Sequence, residues 1–253
     1  MLINNISAIV LAKNNDNTIR KTLLSLEEFS DVVVYDNGST DKTMQIAKEF
    51  KNVNLIEGEF KGFGWTKNQA VSFAKNDWVI IIDSDEVIDS KLLQTLKTKE
   101  LDSNTVYQLN FKAYYKDIQV KYCGWNNQKI KRMYNKTKTS YNMNDVHEDI
   151  ISDSFKIELL DGNVEHYSYH TISQFVIKAD HYSTLFAKNN VGKKNSSPTK
   201  AVFNGLYSFI KTYFFKRGFL DGYVGLIISF SHMVTNFYKY IKLYELNKEL
   251  KEK

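Results

Sequence analysis

Over its first hundred residues the chain alternates short apolar runs with segments in which apolar residues recur at helical spacing. ISAIVLA (6–12), DVVVYD (31–36), VNLIEG (53–58) and WVIIID (78–83) read as buried strands. Between them, NTIRKTLLSLEEF, NGSTDKTMQIAKEF and TKNQAVSFAK carry the helical period. In the second of these, Ser39 or Thr40 is placed to cap a helix ending near Phe50. This alternation predicts a parallel sheet covered on both faces, and such sheets bind ligands beyond the carboxyl ends of their strands. Three of those ends carry polar sets: Lys13 with Asn14, Asp36 with Asn37, and Asp83 with Asp85.

From Tyr107 the rhythm changes. YQLNFKAYY alternates with period two and reads as a longer, half-exposed strand, with KIKRMYN (129–135) as its companion. A helix is predicted over about 171–190, then a loop, GKKNSSPTK (192–200), that holds the single proline. Residues 201–250 read as two helices broken near KRGFLDG (216–222). The expected architecture is α/β: a doubly wound, mostly parallel sheet over residues 1–195, with a helical C-terminal extension over 196–253.

Composition narrows the class. With 253 residues, 43% hydrophobic and 25% charged, the chain has the balance of a soluble globular protein. Its net charge of +5 is modest, but the second half is the more basic, which favours phosphates, nucleic acid or an anionic membrane as partners. The 16 tyrosines, 16 phenylalanines and 3 tryptophans suit a binding groove or an interface. The single Cys123 has no internal disulfide partner, which fits a reducing cytoplasm. The run at 6–12 is too short for a signal peptide, and VGLIISF (224–230) falls far short of the roughly 20 residues that span a bilayer. Lying on a membrane is still open.

Asp83 and Asp85, one residue apart at a strand end, can aim at one cation. Mg²⁺ and Mn²⁺ take oxygen ligands and commonly share them with substrate phosphates. The plain alternative is a solvated acidic turn in which Glu86 is a bystander. Asp89, with Ser90, reads as the start of the next helix. An EF-hand is excluded, because the sixth position from Asp83 is Ile88 and the twelfth is Gln94. VIIIDSDEV also matches the aspartyl phosphatase signature, in which Asp83 would be the nucleophile. Three strand–helix units precede it, however, and no later strand ends in paired acids.

In YDNGSTDKT (35–43), Asp36 can accept a hydrogen bond from a uracil N–H or a ribose hydroxyl, or can simply shape an acidic turn. No GxGxxG follows the first strand, which disfavours a dinucleotide site. In GEFKGFGWTKNQA (58–70), Gly62 and Gly64 allow the backbone close to a ligand and Lys67 can neutralise a diphosphate, although P-loop spacing is absent. His166 and His170 share one face of a strand and serve either metal binding or packing. FIKTYFFKRGFL and VTNFYKYIKLYEL mix aromatic and basic residues as an interfacial membrane helix does; helices packed on the rest of the protein explain them equally.

In order and spacing, ISAIVLAKNN, VVVYDNGSTDKT, KGFGWTKNQA and WVIIIDSDE resemble the family 2 glycosyltransferases, which have the GT-A fold. CGWNNQKIKRMY, DVHED, HYSYH and KRGFLDG are similar to the lipopolysaccharide and lipooligosaccharide core β-1,4-glucosyltransferase branch, and the resemblance covers nearly the whole chain. One departure is Lys67 where many members have arginine, which keeps the charge but loses a bidentate donor.

The resemblance implies an inverting glycosyltransferase with a nucleotide-sugar half (1–100) and an acceptor half (101–195). Ala12 to Asn14 and Asp36 would hold the uridine, Lys67 the diphosphate, and Asp83 the ribose and metal. Asp85 would ligate Mg²⁺ or Mn²⁺, with His166 completing the shell. Glu148 would be the base, with Asp149 and Asp145 behind it, while His147, Trp125 and Arg132 would face the acceptor beside Lys129 and Lys131. The expected donor is a UDP-hexose, UDP-glucose first, and the expected acceptor a lipid-linked saccharide such as an inner-core heptose. No nucleic-acid partner is expected, and the location would be cytoplasmic, peripheral on the inner face of the membrane. A non-enzymatic saccharide-binding module is the remaining alternative, suggested by the aromatic excess.

Overall fold

The computed structural model describes residues 2–144 and 148–252. The N-terminal alternation becomes β1 (Ile6–Ala12), α1 (Ile19–Ser25), β2 (Val32–Asp36), α2 (Thr43–Ala47), β3 (Val53–Glu57), α3 (Phe63–Val71) and β4 (Trp78–Asp83). A short β5 (Glu86–Ile88) and α4 (Ser90–Thr98) follow. Strands β3, β2, β1 and β4 lie side by side and parallel. They are apolar at consecutive positions because both faces are covered. Val10, Val34 and Ile82 pack with Leu23 of α1 and Leu92 of α4 on one side. Ile9, Val33 and Ile81 pack with Ala70 and Val71 of α3 on the other.

The later strands are antiparallel: β6 (Thr105–Tyr115), β7 (Ile118–Val120), β8 (Gln128–Asn135) and β9 (Lys156–Tyr169). β8 runs against β4, with Ile80 opposite Met133, and the order continues through β6 and β9 to β5. β5 starts three residues after β4 ends, yet its partner is β9, with Glu86 opposite His166. The antiparallel half therefore curls back to the carboxyl end of β4.

The chain forms two compact units, Met1–Lys112 with Asn127–His166, and Ala113–Asn126 with Tyr167–Lys253. The boundary expected near residue 195 falls inside the second of these, in the stretch between α5 (Ile172–Asn190) and α6 (Pro198–Ile210). α5 opens with a capping box between Thr171 and Gln174, and α6 opens with Ser197 as its cap and Pro198 in its first turn. The predicted break before α7 (Gly222–Glu252) is a π-type turn (Lys211–Phe215) followed by a 3₁₀ turn (Gly218–Asp221). It is held by Asp221, whose carboxylate accepts from the backbone N–H groups of Lys121 (3.0 Å) and Tyr122 (2.8 Å). Among the described residues, no helix is long and apolar enough to cross a membrane.

Candidate active site

The loops after β1 and β2 are tied together. Asp36 ends β2 opposite Ala12, and its side chain is fully buried. One oxygen accepts from the backbone N–H groups of Gly38 (2.9 Å) and Ser39 (2.7 Å), the other from the Ser39 hydroxyl (2.6 Å). Ser39 Oγ accepts in turn from the Asn14 N–H (2.9 Å), and Asn14 Oδ1 accepts from the Thr40 N–H (2.8 Å). Asn14 sits at φ 53°, a left-handed conformation that asparagine tolerates. Ala12, Asn14 and Asp36 are thus brought together, with the Asp36 carboxylate occupied in shaping its own turn. The expected Ser39 or Thr40 helix cap is not formed. α2 begins only at Thr43, whose N–H donates to Asp41 (2.9 Å).

At the end of β4, the neighbouring β8 supplies Arg132. Its guanidinium is 7% exposed and donates from one Nη to Asp83 and to Glu86, each at 2.8 Å. Glu86 accepts from the Asp83 N–H (2.7 Å) with its other oxygen, and Phe111 lies 5.2 Å beneath the guanidinium. Arg132 was expected to face the acceptor. Instead it is an internal counter-ion, because β8 lies against β4 and aims the side chain into the acidic bend. Burial opposes ionisation of Asp83, but Arg132 and then Lys67 outweigh it and hold the carboxyl well below the usual carboxylate range. Burial pushes Glu86 up to about 7, with Arg132 pulling the other way and the Asp83 charge adding to the rise. Glu86, which reads as a bystander in the sequence, is the most buried acid of the bend. Arg132 Nε and Nη1 and the Tyr141 hydroxyl are buried without a partner among the described residues, a donor set that water or ligand oxygens would satisfy.

The β5–β9 pairing sets His166 beside Asp85, Nε2 to Oδ2 3.4 Å, with the ring edge-on to Phe111. Burial disfavours the imidazolium, but Asp85, Glu86 and Asp83 overcome that and raise its pKa. Two adjacent ligands of a six-coordinate ion, each about 2.1 Å from it, lie about 3.0 Å apart. The pair therefore fits one cation after a shift of a few tenths of an ångström, and an imidazole in the set suits Mn²⁺ better than Mg²⁺. Among the described residues no three His, Cys, Asp or Glu side chains form a complete cage, so ligand oxygens would fill the other positions. His170 belongs to the second unit, its Nε2 buried and without a hydrogen-bond partner among the described residues.

Lys67, on α3, is 5% exposed, and its ammonium donates to Glu148 at 2.6 Å above the Tyr141 ring. Lys67 and Glu148 were expected at opposite ends of the reaction, and here they form one ion pair. Gly64 makes the approach possible. A Cβ there would lie 2.0 Å from the Asn142 carbonyl oxygen, while its own N–H donates to the Asn144 carbonyl (3.3 Å). Asn68 clamps Tyr141 through both its carbonyl (2.9 Å) and its N–H (3.0 Å). The glycines of this loop thus admit another segment of chain as well as leaving backbone open. Asp149 pairs with Lys131 at 2.5 Å, and the expected residues Asp145 and His147 lie outside the described residues. Trp125 lies in the second unit, stacked on Tyr169 (5.4 Å) and Phe175 (6.2 Å) and donating to His232 (3.3 Å).

A parallel α/β sheet that gathers acids, a buried arginine and a buried lysine beyond its strand ends has the make-up of an enzyme handling a polyanionic substrate. Residues 7–156 match the model of glycosyl transferase family 2, and the chain belongs to that family. It is 32% identical to an uncharacterized glycosyltransferase of Rickettsia typhi over 257 residues, covering 96% of this chain and 87% of that one. It is 23% identical to the lipopolysaccharide core biosynthesis glycosyltransferase LpsC of Rhizobium meliloti, covering 95% of this chain and 92% of that one. Among solved structures, residues 1–349 of S. aureus TarS in complex with UDP-GlcNAc align with a TM-score of 0.47 at 14% identity, covering 98% of this chain and 92% of that one.

Proposed function

We propose that this glycosyltransferase is metal-assisted and inverting, and that it moves glucose from UDP-glucose onto a lipid-linked saccharide, such as an inner-core heptose, at the inner face of a membrane. The observation that carries the reading is the gathering, within one compact unit, of Asp83, Asp85 and His166 with the Glu148 carboxylate held by Lys67. The Asn14–Asp36 loop pair at the ends of β1 and β2 is where a nucleoside would lie in such a sheet. Asp85 and His166 would hold the cation, which supplies charge neutralisation to the departing diphosphate. Asp83, kept ionised by Arg132, would meet the ribose and the same ion. Glu148 takes the proton of the acceptor hydroxyl as that oxygen bonds to the anomeric carbon and the bond to the diphosphate oxygen breaks; a single displacement inverts the centre. In the structure the Glu148 carboxylate is occupied by the Lys67 ammonium at 2.6 Å. A diphosphate drawing the ammonium towards itself would release the carboxylate for that task.

Full-length likeness to a lipopolysaccharide core enzyme supports the acceptor class. Family membership sets aside both the phosphatase and the non-enzymatic module, and a nucleophilic role for Asp83 is further opposed by its ion pair with Arg132. The test is turnover of UDP-, GDP-, dTDP- and ADP-sugars with Mg²⁺, Mn²⁺ or a chelator. We expect UDP-glucose to be consumed, Mn²⁺ to serve best and chelation to abolish turnover. Turnover of purine donors alone would overturn the role given to Asp36, and full activity in chelator would overturn the metal role.

A further inference from the structure

The second unit combines large exposed apolar side chains with an excess of positive charge. Its residues include fifteen lysines and arginines against six acids, a net charge of +9, whereas the first unit has nineteen against twenty-three, a net charge of −4. α7 is flanked by two apolar grooves. One, of about 310 Å³, lies between α5 and α7 and is lined by residues such as Val176, Phe230 and Val234. The other, of about 230 Å³, lies between α6 and α7 and is lined by Leu206, Phe237 and again Val234. A residue common to both grooves makes them neighbours across one helix, so the three helices present a continuous apolar relief. Val176 is 63% exposed, and outside the grooves Phe203 is 67% and Phe215 73% exposed. Single exposed apolar residues are ordinary, but a run of this size marks an interaction site.

We propose that this unit docks on an anionic lipid surface, seating the α5–α7–α6 relief among the acyl chains and its cations among the headgroups. The proposal deepens the lipid-linked acceptor reading and rests on it for its purpose, although the surface stands on its own observations. Lys200, Lys211, Lys216 and Arg217 are exposed on α6 and the turn that follows. The Lys211 ammonium lies 6.0 Å from the centre of the exposed Tyr207 ring, a cation beside an amphipathic aromatic of the kind found at lipid interfaces. Apolar insertion and a basic patch are the two signals that together give stable membrane attachment. A second copy of the chain fits less well, because a twofold contact through this face sets two units of net charge +9 against each other. No described helix is both long and apolar enough to span.

The test is sedimentation of the purified protein with vesicles of phosphatidylethanolamine and phosphatidylglycerol, or of phosphatidylcholine alone, at about 0.1 and about 0.5 M salt. We expect at least tenfold tighter binding to the anionic vesicles, weakened several-fold by the higher salt. Val176→Asn with Phe230→Asn should lower binding at least tenfold while leaving UDP-sugar hydrolysis in solution unchanged. Phe203→Asn and Phe215→Asn, at the most exposed positions, keep the test valid if the groove variant fails to fold. Equal binding to both vesicle types, or unchanged binding by all variants, overturns the proposal. So does absence of vesicle binding together with a dimer that the groove variant dissociates, which assigns the face to a second copy. Vesicle binding without any UDP-sugar turnover would leave the docking standing and sink the catalytic reading instead.

Discussion

Replacing Arg132 by methionine keeps an apolar stem over Phe111 but deletes a guanidinium that donates to both Asp83 and Glu86 at 2.8 Å. At an effective dielectric of about 20, each contact is a Coulomb attraction of about 6 kcal/mol. Desolvation offsets most of that, since the guanidinium is nearly buried and Glu86 has no exposed surface. Without the guanidinium the fully buried Glu86 and the part-exposed Asp83 lose their direct counter-ion, with only Lys67 and His166 left nearby, which costs about 3–5 kcal/mol at most. That is a large share of a typical total stability of about 5–15 kcal/mol. Arg132→Lys keeps the charge but not the planar pair of donors, so its loss should be a fraction of this. Arg132→Met combined with Glu86→Leu removes the fully buried acid together with its partner and should recover part of the deficit, the part-exposed Asp83 remaining. Urea unfolding followed by fluorescence of the three tryptophans, with circular dichroism as a second probe, measures all three variants. An Arg132→Met variant within about 1 kcal/mol of the parent would refute the counter-ion role, as would a double variant less stable than the single.

Two further outcomes follow from the geometry. Glu148→Gln should lower kcat by about 10²–10⁴ while leaving the KM for the donor within a few-fold, because it removes the proton acceptor and not the nucleotide contacts. A steady-state assay in which kcat holds would return the base to another acid. In the second unit, burial and then the Lys216 and Lys239 charges push the His232 imidazole down to about 4. Trp125 donates to its Nε2, so the neutral ring carries its proton on Nδ1, facing Thr212. A depressed folded pKa means stability fully present above about pH 6.5 and lost as pH falls towards 4, by about 3 kcal/mol at most. Comparing urea midpoints of the parent and His232→Gln between pH 7.5 and 4 isolates this term. An identical slope in both proteins would contradict it.

The parallel half of the fold is legible in the sequence because its signals are local. Doubly buried strands must be apolar at consecutive positions, and the acids that end them follow within one or two residues. Asp89 is recognisable as a cap and accepts from the Leu92 N–H. The break at 216–222 and the starts of α5 and α6 are written in glycine, proline and hydroxyl residues. The helix after Asp36 is the local failure. Ser39 spends its hydroxyl on Asp36 and Asn14, so the turn runs on and α2 is only Thr43–Ala47.

Residue order and composition thus suffice for an α/β sheet with acidic strand ends and a separate aromatic, basic helical tail. They also place Asp83, Asp85 and Glu148 among the residues to watch. Their partners come from the three-dimensional fold: Arg132 for Asp83 and Glu86, Lys67 for Glu148, His166 for Asp85. It also seated Trp125 among the rings of the helical unit. Arg132 and Glu86 are 46 positions apart, Lys67 and Glu148 81 apart, and no periodicity links residues so distant. The need for a counter-ion follows from burying a carboxylate. Which cation supplies it depends on β8 lying against β4 and on β5 turning back to β9, choices made by the order of strands in the sheet.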